Sequence, residues 1–285
     1  MTADALHIDV ETRSAVDLKK AGMYRYFEDA STDVWCASYA IGDGPVRRWL
    51  MGEACPLPIA EHIEAGRPIF AHNAGFERQA FKRILGPKYG FPVPALEQMF
   101  CTAAMAAAMG LPRALQDVAP ALGLDTVKDM SGKRIMLQMS RPRRTLAGND
   151  GSITYEWWDV AEKLETLYAY CDQDVVVERA IEKKLLPLSD TERRVWLLDQ
   201  RLNERGVPVD IRAVQDARWV LYRHEEKLAE RLAALTGGFV RSGGQTAKIR
   251  DWLGAAGVVL ETLDRTAVGT ALDTVEDSAA REVLL

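Results

Sequence analysis

Four strand-like runs fall within the first 73 residues, and the last of them leads straight into an amphipathic helix. Strands alternating with helices point to an α/β domain built on a sheet. The runs are residues 6–10, "DVWCASYAIG" at 33–42, "VRRWL" at 46–50 after the turn "GDGP", and "RPIFAHN" at 67–73. The first three are expected to form an antiparallel meander. In "AGFERQAFKRIL" (74–85), Phe76, Ala80, Phe81 and Ile84 recur at helical spacing. Helices are also expected at 102–110, closed by Gly110, and at 113–124, where Pro120 obscures the end. Between 125 and 155 periodicity fails, and the segment reads as a long surface stretch. A strong helical pattern returns over 160–186, before Pro187. Beyond it, Ser189 and Glu192 have capping-box spacing, and helices are expected at 191–205, 211–238 and 245–254. The expected division is therefore an α/β domain over 1–187 and a mostly helical region over 188–285.

Composition narrows the setting rather than the activity. No apolar run reaches the roughly 18 residues of a membrane span, and no signal peptide is evident. Cys36, Cys55, Cys101 and Cys171 are scattered with no CxxC pair, which argues against a zinc or disulfide framework and fits reduced thiols in the cytoplasm. With a net charge of −5, binding to nucleic acid has to use local basic patches.

Three segments carry acids in suggestive places. In "ALHIDVETRS" (5–14), Asp9 and Glu11 are two apart, so on a strand both carboxylates leave the same face. Taken alone, they read as a strand end in water. In "FAHNAGFERQAF" (70–81), Asn73 stands at a strand-to-helix junction, where its side chain can cap the helix. Glu77 follows one turn in, beside Phe76. In "LYAYCDQDVVVERA" (167–180), Tyr170 and Asp174 are i and i+4 on one helical face, whereas Asp172 points away.

Together these segments resemble the proofreading 3′–5′ exonucleases of ribonuclease H-like fold. That family carries D-x-E on its first strand, N-x-x-F followed by an acid, and Y-x-x-x-D on a late helix. Asp9 and Glu11, then Asn73, Phe76 and Glu77, then Tyr170 and Asp174 match in order. The sister subclass has histidine five residues before the last acid, but Ala169 stands there, so the tyrosine-assisted subclass is preferred. The family usually has aspartate where this chain has Glu77; glutamate keeps the charge and adds a methylene.

The resemblance implies a mixed central sheet flanked by helices, and hydrolysis of phosphodiester bonds with two divalent ions, Mg2+ or Mn2+. On that reading Asp9 bridges both ions, Glu11 and Asp174 complete the tighter site, Glu77 holds the second ion through water, and Tyr170 orients the attacking water. Single-stranded or frayed DNA 3′ ends and primer-template DNA are the expected partners. Lys128, Lys133, Arg134, Arg141, Arg143 and Arg144 give a local positive balance suited to a DNA backbone, and Phe76 can wedge against terminal nucleotides or pack in the core. Trp157 and Trp158 are expected to pack.

The later segments "LLDQRLNERGVPVDIRAV" (197–214) and "SGGQTAKIRDWL" (242–253) look like the start of the helical thumb of family A DNA polymerases. The segment "KDMSGKRIMLQMSRPRR" (128–144) looks like phage members of that group. No candidate palm or fingers segment follows, so the chain alone is not expected to polymerise; the rest of a polymerase or replication proteins are expected partners. Two other readings compete: trimming of RNA 3′ ends, as in ribonuclease D-like proteins, and a catalytically weak DNA-binding scaffold.

Overall fold

The computed structural model describes residues 4–124 and 130–285. Five strands form one mixed sheet: β1 (Leu6–Arg13), β2 (Asp33–Ile41), β3 (Arg47–Leu50), β4 (Ile69–Ala71) and β5 (Met99–Cys101). Their order is β3-β2-β1-β4-β5. The expected meander is present, with β1–β2 and β2–β3 antiparallel, while β4 joins β1 and β5 joins β4 in parallel. Helices flank this sheet and a helical region follows, which is the α/β arrangement of the ribonuclease H-like class.

β1 is central and faces two ways. Leu6, Ile8 and Val10 enter one core with Val34, Ala37, Tyr39 and Phe81. Period-two alternation sends His7, Asp9 and Glu11 to the opposite face. That face is covered by the long helix of the first unit, so the two acids are not a strand end in water. At Glu11 the register shifts: Glu11 pairs with Cys36 and Thr12 with Val34, leaving Trp35 as an extra residue in β2. Such a bulge re-aims a side chain. Trp35 packs with Met139 and Leu167, and its Nε1 donates to the Met139 carbonyl at 3.0 Å.

Helix α1 (Gly75–Ala80) follows β4 and widens into a π-helical turn over Phe81–Leu85. Helices α2 (Thr102–Ala108) and α3 (Leu115–Ala121) come next. The segment expected to be irregular instead contains α4 (Met130–Met139) and a hairpin, β6 (Arg144–Ala147) with β7 (Ile153–Glu156). Gly132 weakens helix propensity there, and the helix is held by packing: Ile135, Met136 and Met139 join Trp35, Leu167, Trp157 and Trp158. Helix α5 (Ala161–Glu182) lies across β1 and β2, and its Val177 and Ile181 join Phe70, Met105 and Val118 in a second core.

Helix α6 (Asp190–Arg205) begins with the capping box of Ser189 and Glu192. Trp196 packs on the sheet core, and Glu204 accepts from Arg78 Nε at 2.7 Å and Gln79 Nε2 at 3.1 Å. The compact units accordingly are Met1–Gly206 and Val207–Leu285, one helix beyond the compositional change at 187. The second unit contains α7 (Ile211–Leu235), α8 (Thr246–Ala255), α9 (Arg265–Thr274) and α10 (Ser278–Leu284) around Val240, Ile249, Leu253 and Ala280. Asp210, Asp264 and Asp277 cap α7, α9 and α10 by accepting N–H bonds.

Candidate metal centre

β1 and α5 bring three carboxylates to one point. Asp9, Glu11 and Asp174 each offer an oxygen, and these atoms lie within 4.8 Å of one another. Glu11 and Asp174 are buried, at 8% and 6% exposure, and Asp9 is half-buried. Three like charges so close, away from bulk water, repel strongly unless a cation joins them. The donors are anionic oxygens, a set that fits Mg2+ or Mn2+.

Tyr170 stands one turn before Asp174 on α5 and hydrogen-bonds with it. Burial first, then the charges of Asp174, Glu11 and Asp9, push its phenol well above the usual tyrosine range. This environment favours the neutral phenol over the phenolate. Asp172 faces away, as its helical angle requires: it accepts from Ser38 Oγ at 2.6 Å and Arg48 Nε at 2.7 Å.

Glu77, on α1, lies outside the three-carboxylate cluster among the described residues. It is buried at 3% exposure, and among the described residues its Oε2 has no hydrogen-bond partner. Burial, then Asp9, then Glu178, hold its carboxyl well above the ordinary carboxylate range. A buried acid oxygen so placed is a ready partner for a cation or an ordered water.

Asn73 does not cap α1 through its side chain. Ala74 is the cap residue, and Asn73 adopts φ 75°, a left-handed conformation that asparagine tolerates. Its main-chain oxygen accepts from Phe76 N–H at 2.8 Å, and Asn73 itself is exposed. Phe76 packs inward, with ring centroids 4.8 Å from Phe27 and 6.2 Å from Tyr26.

The basic residues lie along α4 and the hairpin. Lys133 donates to Gln116 Oε1 at 2.8 Å, and Arg134 is exposed. Arg141 pairs with Asp17 at 3.2 Å and Arg144 with Glu156 at 3.8 Å. Arg143 lies 5.5 Å from the ring of Trp158. Trp157 and Trp158 pack as expected, half-buried. Lys128 lies outside the described residues.

No protein-family model matches the chain. It is 32% identical over 284 residues to a DNA polymerase of Bacillus phage SP02, an alignment taking in 98% of this chain and 43% of that protein. The chain thus spans less than half of that relative, and the similarity supports a polymerase-related domain.

Three neighbours of the centre escaped the sequence reading. His7 Nδ1 lies 2.7 Å from Glu178 Oε2, and both residues are buried at 3% exposure. The Cys171 thiol bonds Asp9, with Sγ 3.3 Å from Oδ2 and 3.5 Å from the main-chain oxygen. Burial, then Cys36, Asp9 and Glu11, push that thiol well above the usual range. Periodicity held the signal for the pair: His7 precedes Asp9 by one strand repeat, and Glu178 follows Asp174 by one helical turn. Cys171, three residues before Asp174, also falls toward that side of α5, but a lone cysteine there belongs to no motif that singles it out.

Proposed function

We propose that this chain is a metal-dependent 3′–5′ exodeoxyribonuclease of the proofreading kind, part of a phage-type family A DNA polymerase. The observation that carries the reading is the convergence of Asp9, Glu11 and Asp174 within 4.8 Å, with Tyr170 bonded to Asp174. The similarity to a phage polymerase supplies the context. Residues 1–187 form the nuclease on this reading, and residues 188–285 begin a polymerase thumb.

Two Mg2+ or Mn2+ ions supply, when bound, the positive charge that offsets the reacting phosphate and favours deprotonation of water. Asp9, Glu11 and Asp174 would hold the first, and Asp9 with Glu77 would serve the second. Tyr170, as a neutral phenol, orients the water nucleophile by hydrogen bonding. Only an unpaired terminus reaches so recessed a cluster, so single-stranded or frayed 3′ ends are the substrate. The exposed Asn73 contacts the terminal nucleotide, and Phe76 backs that contact from the core. Lys128, Lys133, Arg134, Arg141, Arg143 and Arg144 meet the DNA backbone. The reaction belongs in the cytoplasm of the host cell, beside the rest of the replication machinery.

The test is incubation with 5′-labelled single-stranded DNA and RNA in Mg2+, Mn2+ or EDTA. Stepwise shortening of DNA from its 3′ end, stopped by EDTA, is expected. Shortening that persists in EDTA overturns the metal mechanism, preference for RNA overturns the substrate, and no shortening of either overturns the nuclease reading.

A further inference from the structure

We infer that Cys171 is a positioning residue for Asp9, its thiol holding the Asp9 carboxylate in the orientation that faces Glu11 and Asp174. The inference rests on the metal-centre reading above. Asp9 is the least buried of the three acids, and its carboxylate is the one the Cys171 thiol contacts. A ligand left free to turn loses rotamer entropy when metal binds, and one already fixed does not.

Cys171 meets the geometric needs of such a clamp. Its Sγ touches one residue twice, at Asp9 Oδ2 (3.3 Å) and at the Asp9 main-chain oxygen (3.5 Å). The two acceptors belong to one side chain and its own backbone, so the contact fixes the torsion between them. Cys171 is wholly buried, at 0% exposure, which leaves the sulfur no alternative position in water. It also sits on α5 next to Tyr170 and three residues before Asp174, so one rigid helix places the phenol, one ligand and the donor to another. Cys36, paired across the sheet with Glu11, reaches the sulfur from β2 and hydrogen-bonds with it. An S–H group is a weak donor, which suits an orienting contact that leaves the carboxylate available to a cation.

Packing alone predicts a different order of variants than donation does, and this separates the two. The experiment is titration of the full chain with Mn2+, free ion being read by electron paramagnetic resonance, on native protein and on Cys171→Ala, Cys171→Ser and Cys36→Ala. Thermal midpoints in EDTA verify folding of each. Loss of one modest hydrogen bond corresponds to about threefold to tenfold weaker Mn2+ binding, which is expected for Cys171→Ala. Cys171→Ser keeps a donor and should stay near native. Cys36→Ala disturbs the same packing without touching Asp9, and should also bind as the native protein does. Native binding by Cys171→Ala overturns the assignment. So does equal loss in Cys171→Ser or Cys36→Ala, since either outcome makes the surroundings of the sulfur, rather than its donation to Asp9, the cause. Absence of Mn2+ binding by the native protein overturns the metal-centre reading itself, a result distinct from the other three.

Discussion

His7 and Glu178 meet at 2.7 Å (Nδ1 to Oε2) between β1 and α5, one strand repeat and one helical turn beyond the three carboxylates. His7 also stacks on Phe70, with ring centroids 5.5 Å apart. Both polar groups have left water, so each depends on the other. Truncating one leaves a buried group unsatisfied, whereas replacing both with apolar residues does not. Glu178→Ala should cost about 3 kcal/mol of unfolding free energy. The double variant His7→Leu/Glu178→Leu should cost less than Glu178→Ala. Urea unfolding of the three proteins checks this; a loss in the double variant equal to or greater than that in Glu178→Ala would contradict it.

Asp9→Ala and Asp174→Ala should lower cleavage of single-stranded DNA on the order of 10³-fold or more, equivalent to at least about 4 kcal/mol of barrier. Neither should unfold the protein, because each removes one of three mutually repelling charges. Tyr170→Phe should slow cleavage less, by about tenfold to hundredfold, since on the proposed reading the phenol orients water and does not hold the ion. Single-turnover rates on 5′-labelled DNA, with circular dichroism as the folding control, decide. Near-native rates in either aspartate variant would remove that residue from the centre.

Much of this was legible because β1 obeys a two-residue period and α5 a helical one. Asp9 with Glu11, and Tyr170 with Asp174, fall on single faces by spacing alone, and Asp172 falls off its face for the same reason. What spacing does not encode is contact between faces. The bond from Cys171 to Asp9 exists because α5 lies across β1, and the bulge at Trp35 reflects the seat made by Met139 and Leu167. The segment 125–155 defeated the reading for a related reason. Gly132 and its polar neighbours hide a helix that is stabilised by what it covers. The Asn73 side chain was read as a cap, but a left-handed backbone hands that role to Ala74.

Tyr26 supplies a pH test of the sheet's other face. Its hydroxyl lies 2.8 Å from Thr12 Oγ1, next in sequence to Glu11. Burial, reinforced by the charge of Glu11 and opposed by the Thr12 bond, pushes its pKa up from 10.0 to about 12. The sign follows from proton binding. Between those values the unfolded chain releases the proton while the folded chain keeps it, so stability falls as pH rises from about 10 to about 12. Tyr26→Phe should cost about 1 kcal/mol near neutral pH, through the lost hydrogen bond. The gap should narrow as pH rises through that window. Urea unfolding at about pH 8 and about pH 11 measures it; a gap that widens would reverse the sign.

Glu77 tests the second ion. Its carboxyl is buried beside Asp9 and Glu178, which disfavours its charged form, and among the described residues its Oε2 has no hydrogen-bond partner. Glu77→Gln keeps the shape and removes the ionisable group, so in EDTA the variant should be at least as stable as the native protein. In the nuclease assay the same substitution should raise the Mg2+ concentration for half-maximal cleavage by about tenfold to hundredfold, the usual effect of losing a group that acts on a metal through water. Glu77→Asp keeps the charge and withdraws it by one methylene, so its Mg2+ requirement should fall between the two. A Mg2+ titration across the three proteins gives the order. If Glu77→Asp needs less Mg2+ than the native chain, the longer side chain is holding the second ion poorly. If Glu77→Gln matches the native protein, Glu77 does not serve a metal, and its buried carboxyl belongs to the fold alone.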